Sequence, residues 1–471
     1  MSLTKHPADI VAESGSPLVA SHSGWTRVPL GSVATILNGA AFKSKQFSAD
    51  TGVPLIRIRD IASRETSMRY VGEYDERYLI RPGELLIGMD GDFNVARWKG
   101  PEALLNQRVC RIAPDTMALD LDFLTHLLPG YLRAIHDVTS STTVKHLSSR
   151  DIGNIPIPLP ALAEQRRIAA HLEGIEARRK AVAERLRATR AIIDRFRSAV
   201  LAAACSGRLT AVWREGHGDA VSDNLVSTAS PPASGGAAVP ASWAIARIAD
   251  IGTVQLGGTP SRKRPEFWDG DVAWVSSGEV ANCRISSTRE AISQEGLANS
   301  SAKLYPPGTV LIAMIGEGKT RGQAAILDIE AATNQNAAGI LADRQFVDPE
   351  YLWRWAVGQY ETTRAAGTGG NQPALNKQRV AGLIIPVPPI AEQAEIVRRA
   401  AAGLAVADRL AAQIKQVDAT LDRVSRATLA KAFRGELVPT EASLAAEEER
   451  DFEPAQELLV RALDRKKAGS R

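Results

Sequence analysis

Residues 155–168 read IPIPLPALAEQRRI, and 228 positions further on residues 383–396 read LIIPVPPIAEQAEI. An apolar run broken by prolines and followed by Ala-Glu-Gln is too particular to recur by accident, so internal repetition is the first property to trace. The same spacing of 228 pairs Asp194 with Asp422, Gly207 with Gly435 and Leu209 with Leu437. Upstream the match loosens: Trp25 and Gly39 pair with Trp243 and Gly257 at 218, and Pro82-Gly83 with Pro307-Gly308 at 225. Asn106-Gln107 and Asn334-Gln335 return to 228. Insertions therefore lie in the upstream part of each copy and none in its tail. Each half has a variable unit of roughly 140 residues and a faithful unit of roughly 50.

The two kinds of unit carry different periods. The variable units hold short β-type runs such as VPLIRIRDI, ELLIGM, VAWVS and TVLIAMIG between Gly, Pro and Asn turn signals, which predicts strand-based domains. One helix is expected in each, over 121–135 and 349–365, its aromatics belonging to the core. In the first faithful unit the apolar steps Ile168, Leu172, Ile175, Val182, Leu186, Ile193 and Phe196 alternate as in a heptad seam, with Arg179 and Thr189 as polar interruptions. The second keeps the phase at Ile396, Leu410, Ile414, Val417, Leu421 and Val424. Two such helices in one chain satisfy each other by pairing antiparallel, with a domain at each end and a pseudo-twofold axis. The 168–203 helix is a rod of about 54 Å at about 1.5 Å per residue, long enough to act as a ruler.

The expected fold class is therefore α+β: two strand-based domains in a pseudo-twofold repeat, separated by a long antiparallel two-helix coiled coil. The expected segments are an N-terminal extension (1–24), a first domain (25–160), a central helix (161–210), a linker (211–240), a second domain (241–388), a distal helix (389–439) and a tail (440–471). The linker contains STASPPASGGAAVP, which cannot build a core. In the tail, Leu458, Leu459 and Leu463 share one helical side and predict an accessory helix packed on the rod.

At 471 residues with 44% hydrophobic and 23% charged residues the chain is that of a multidomain globular protein, and a formal charge of +4 permits a polyanionic partner without proving one. Cys110, Cys205 and Cys283 lie far apart with no CxxC spacing, so neither a disulfide framework nor a zinc site is expected. The first residues lack an apolar core of signal-peptide length and no later stretch runs to about 18 apolar residues. The expectation is a cytoplasmic protein that does not span a membrane.

One stretch argues for nucleotide hydrolysis. LIAMIGEGKTRG, 311–322, ends like a phosphate-binding loop, but its first glycine position is Ala313, and RGQAAILDI after it reads as turn and strand where a phosphate loop needs a helix. Its counterpart in the first half, LLIGMDGDFNVARW at 85–98, has no Gly-Lys-Thr. A glycine turn between strands, bearing Asn94 and Arg97 in one copy and Lys319 and Arg321 in the other, suits polar contact with an extended surface; a plain exposed hairpin is the competing reading.

The order of these parts, with IPIPLPALAEQRRIAAHLE and AVLAAACSGRLT in the first half and IPVPPIAEQAEIV and ATLAKAFRGELVP in the second, resembles the specificity subunit of type I restriction-modification systems over roughly residues 25–439. The resemblance implies a protein with no chemistry of its own, and no metalloprotease, nucleophile-elbow or methyltransferase motif is found. It implies that each target recognition domain reads one half of a bipartite, asymmetric site in double-stranded DNA through the major groove, while the helices set the unread spacer. It further implies two methyltransferase subunits and restriction/translocase subunits as partners, with S-adenosylmethionine, ATP and Mg held by them and no cofactor or metal on this chain. The DNA-contact candidates are then the glycine turns above, the loops Thr142, Lys145, His146 and Asn371, Gln372, Lys377 that precede the proline-rich segments, and the basic cluster Arg262, Lys263, Arg264. A scaffold in which both domains bind proteins and the rod is only a spacer is the alternative, separable by the salt dependence of DNA binding.

Overall fold

The computed structural model describes residues 3, 5–138, 146–217, 227–230, 239–316, 318–365 and 375–469. It divides into two compact units, one formed by Met1–Arg185 with Gln416–Arg471 and the other by Leu186–Lys415. Each unit contains one strand-based domain and parts of both long helices, Leu162–Cys205 and Ile390–Phe433. No described helix is long and apolar enough to cross a membrane.

Besides a two-stranded ladder, the first domain has two sheets. The larger by paired residues orders four strands, Ala34–Asn38, Val109–Pro114, Leu85–Gly88 and Val95–Arg97, all antiparallel. The other orders five shorter strands, Phe47–Ser48, Arg69–Tyr70, Val53–Ile56, Ala103–Leu105 and Leu79–Ile80, with Leu55 facing Leu104 in a parallel pair. The Leu121–Val138 helix buries Phe123, Leu124, Leu127, Leu128 and Tyr131 against the larger sheet's core. The second domain repeats this plan: Gly252–Leu256, Ala337–Ala342, Val310–Ala313 and Ala324–Leu327 in one sheet, extended by Cys283–Ile285, and Glu290–Ile292, Trp268–Val275, Ala331–Thr333 and Leu304–Tyr305 in the other. Its helix is broken at Gln359 into Pro349–Gly358 and Tyr360–Ala365, and Tyr351 and Trp355 are core residues as expected.

The repeated proline-rich run is a strand that closes each domain. Pro156–Leu159 pairs with Thr26–Pro29, and Ile384–Val387 with Ala244–Arg247, in two-stranded ladders. Proline donates no ladder hydrogen bond, so such a run belongs in a short pair and not in a central strand. The Glu-Gln that follows then fastens helix to domain. Gln165 donates through Nε2 to the carbonyls of Ala118 and Pro160, both at 2.9 Å, and accepts the Asp120 N–H at 2.8 Å. Gln393 does the same with Phe346, Pro388 and Asp348. Beside them Glu164 accepts the Trp25 indole N–H at 3.2 Å, and Glu392 accepts that of Trp243 at 2.9 Å. Tryptophan and Glu-Gln thus recur together because they form one buried joint.

The long helices run antiparallel within each unit. In the first, Ile168 and Leu172 share a core with Leu429 and Phe433, and Arg167 pairs with Glu441 at 2.6 Å. In the second, Leu186 and Ile193 pack with Ala407 and Ile414, and Arg197 meets Asp408 at 2.7 Å. The seam differs from expectation along one flank. Ile396 and Ile414 are buried and Leu421 is half-buried, but Leu410, Val417 and Val424 are 44%, 41% and 51% exposed, while Ala411, Asp418 and Ser425 are half-buried in their stead. On the first helix Ile175, Val182 and Leu186 are half-buried, but Phe196 is 43% exposed beside the half-buried Arg197. Counting apolar residues selected the more hydrophobic flank; the packing uses the smaller and more polar one.

Two further expectations are corrected. The supposed linker begins with a helix, Ala211–His217, whose Arg214 forms an ion pair with Glu392 at 2.6 Å. The tail helix, Ala455–Gly469, docks on Leu30–Val33 of the first domain, with Leu458 and Ala462 buried, Lys466 donating to the Gly31 carbonyl and Leu463 37% exposed.

Candidate nucleic-acid interface

In the first domain the glycine turn leaves the strand Leu85–Gly88 and returns as Val95–Arg97. Gly91 and Phe93 take φ of +71° and +49°. A left-handed phenylalanine costs roughly 1–2 kcal/mol, and burying the ring returns about as much or more. Phe93 is only 1% exposed and lies edge-on to His136, with ring centroids 6.0 Å apart. Its plugging leaves Asp92 and Asn94 outward.

Two other loops close on this turn. The Leu147 N–H donates to the Met89 carbonyl at 2.7 Å, and the Met89 N–H donates to the Arg108 carbonyl at 2.9 Å. Asp90 holds His146 Nδ1 at 2.5 Å and Arg108 at 3.4 Å. The second domain repeats the junction: the Leu375 N–H donates to the Met314 carbonyl at 2.9 Å, and the Met314 N–H to the Asn336 carbonyl at 2.8 Å. In both domains, then, the glycine turn, the loop before the proline-rich strand and the turn after Asn-Gln meet at one point.

The Gly-Lys-Thr stretch is a wide hairpin between antiparallel Val310–Ala313 and Ala324–Leu327, with the Gly322 N–H donating to the Ala313 carbonyl at 2.8 Å. The chain leaves it as a strand, so the backbone is not the strand–loop–helix of a phosphate cradle. Lys319 is exposed, and its carbonyl accepts the Tyr360 hydroxyl at 2.8 Å.

Several candidates are buried or already engaged by side chains of their own domain. Arg321 is 6% exposed and is corrected to an interior residue of its domain. Arg97 bonds Asp122 and the Gly83 carbonyl, bracing strand to helix. Arg262 stacks 3.5 Å over the Trp268 ring while Glu290 binds its guanidinium, and Arg264 pairs with Glu266 at 2.6 Å. Between them Lys263 is exposed, with no ion pair among the described residues. Lys377 is exposed in the first turn of the helix Lys377–Ala381, which Asn376 caps by accepting the Arg379 N–H at 2.8 Å. Thr142, Lys145, Asn371 and Gln372 lie outside the described residues. The converging turns also hold residues that the sequence reading passed over: Gln107 and Arg108 in the first domain, and Gln335 and Asn336, with Thr259 bonded to Gln335, in the second. The recurring Asn-Gln was visible as a repeat but not as part of a site.

Comparison with known proteins gives a consistent picture. The sequence family described as "Type I restriction modification DNA specificity domain" matches twice, at residues 22–187 and 240–416. The chain is 34% identical over 456 residues to the type I restriction enzyme EcoBI specificity subunit of Escherichia coli, covering 93% of this chain and 91% of that protein. It is 24% identical over 439 residues to the StySPI specificity subunit of Salmonella potsdam, covering 88% and 89%. A chain solved in work on complex assembly and conformational transition of the type I R-M system superposes with a TM-score of 0.60 at 19% identity, covering 89% of this chain and all of that one.

Proposed function

This chain belongs to the type I restriction-modification DNA specificity family, and from that premise we propose that each of its two domains reads one half of a bipartite DNA site in the major groove. The observation that carries this reading is the repeated three-loop junction, at Met89, Leu147 and Arg108 and again at Met314, Leu375 and Asn336. The two junctions have the same backbone and different side chains, which is what two readers of different half-sites require. We assign base or phosphate contact to Asn94 and His146 in the first domain and to Lys319, Lys377 and Lys263 in the second. Thr142 and Lys145, with Asn371 and Gln372, are assigned to the same faces from their place in sequence. The chain itself is non-catalytic in this proposal. S-adenosylmethionine belongs to two methyltransferase subunits, ATP and Mg to restriction/translocase subunits, and the complex acts in the cytoplasm.

The test is adenine methylation mapped across DNA from cells that express this chain together with its methyltransferase subunit, against cells lacking this chain. A two-part motif with a fixed gap, present only with the chain, is expected. A soluble complex that yields no chain-dependent motif would favour the scaffold alternative.

A further inference from the structure

In each domain the turn entering the long strand of the larger sheet carries Asn-Gln, and its two residues have opposite surroundings. Asn334 is buried, and its Oδ1 accepts the Asn336 N–H at 3.1 Å. The Asn106 N–H donates to the Ile56 carbonyl at 3.3 Å, and the Asn106 carbonyl accepts the Val109 N–H at 2.9 Å. Gln107 and Gln335 are exposed. The turn is pressed against the other repeated residue, glycine: a Cβ on Gly39 would lie 2.1 Å from the Asn106 carbonyl oxygen, and one on Gly257 1.9 Å from that of Thr333. The residue after each glutamine, Arg108 or Asn336, supplies the carbonyl of the junction. A fixed backbone therefore delivers a glutamine to the same place in both domains.

Around that place the side chains differ, with Asp90, Asn94 and His146 in one domain and Thr259, Ile315 and Lys319 in the other. Residues that distinguish two half-sites must differ between their readers; a residue common to both suits what the half-sites share, and the sugar–phosphate backbone is shared. The Oε1 of Gln335 accepts the Thr259 hydroxyl at 2.6 Å, which takes up one of the two acceptor positions of the amide oxygen. Bidentate pairing with adenine uses both ends of an amide, whereas a phosphate oxygen needs only the donors. We infer that Gln107 and Gln335 each donate a hydrogen bond to a DNA phosphate and thereby set the register of their domain, an inference that rests on the DNA-reading function proposed above.

The test uses the full chain assembled with its methyltransferase subunits and measures fluorescence anisotropy on four duplexes: the mapped site, each half scrambled, and both scrambled. Gln107→Ala and Gln335→Ala are each expected to weaken binding about threefold to tenfold, by the same factor on all four duplexes. Gln335→Lys is expected to restore binding and steepen its salt dependence by about one phosphate contact. A loss confined to duplexes whose matching half is intact, no loss on any duplex, or a lysine variant as weak as alanine would overturn the inference. A wild-type complex that binds the mapped and doubly scrambled duplexes equally would instead sink the sequence-reading function, and the register role with it.

Discussion

Glu164 and Glu392 occupy the same place in the duplicated joint, yet their partners differ. Glu392 accepts from Trp243, from the Thr210 hydroxyl at 2.7 Å and from Arg214, so its charge is balanced where it is buried. Glu164 accepts the Trp25 indole and the Glu441 backbone N–H at 3.0 Å, and burial raises its pKa above the ordinary 4.5 because these neutral donors, with the unbonded charges of Arg167 and His22, only partly oppose desolvation. Removing the charge at Glu392 strands Arg214, so Glu392→Gln should destabilise its unit by about 3 kcal/mol, whereas Glu164→Gln at neutral pH should cost under about 1 kcal/mol. A raised acid favours the protonated folded form: its contribution is complete below about pH 4.5 and is lost as pH rises through the higher folded value. Melting curves of Glu164→Gln should therefore fall less steeply with rising pH across that window than those of the wild type. At the interface, Asn94→Ala should relax one mapped half-site by about 1–3 kcal/mol of discrimination and leave the other unchanged, read by methylation of substituted sites. The Trp and Glu-Gln repeats marked these joints in the sequence; which glutamate had an arginine was hidden, because Arg214 and Glu392 stand 178 residues apart.

The helices show where hydrophobic pattern stops deciding structure. Ile396, Ala407, Ile414 and Leu421 stand 11, 7 and 7 residues apart, a four-residue step plus whole heptads, and every seam that includes them is consistent with either neighbouring flank. Pattern alone prefers the flank of Leu410, Val417 and Val424, yet these are the exposed ones and Ala411 faces inward. Small residues let helix axes approach, and large ones on the neighbouring flank are then left outside that contact. The distinction is measurable by denaturant unfolding. Ile414→Ala, which opens the cluster of Leu186, Ile193 and Ala407, should cost about 2–4 kcal/mol. Leu410→Glu should stay within about 0.5 kcal/mol in the isolated chain; an equal loss for both would return Leu410 to the seam. The strand-based domains were readable in outline from turn signals and β-type runs. Their junctions were not, since Met89 meets Leu147, and Met314 meets Leu375, through backbone hydrogen bonds that leave no trace in side-chain pattern.

At the scale of the whole molecule the duplication separates two variables, what is read and how far apart. In the proposed function, reading resides in loops that differ between the copies, while the helices and their Glu-Gln joints stay alike, so spacing should change without change of bases. Leu186 and Ile414 lie in one apolar cluster and mark equal depth on the antiparallel pair. Seven residues inserted after Leu186 and seven before Ile414 preserve the heptad phase on both helices, whereas the same insertion in one helix throws every later layer out of register. The matched insertion adds about 10 Å of helix at about 1.5 Å per residue, or about three base pairs at roughly 3.4 Å each. Methylation mapping of the matched variant should then return both original half-sites with a gap wider by about that number, at a lower rate because the duplex has also turned beneath one domain. Changed bases at the old gap would assign recognition to the helices and spacing to the loops, the reverse of what the repeated joints and divergent junctions require.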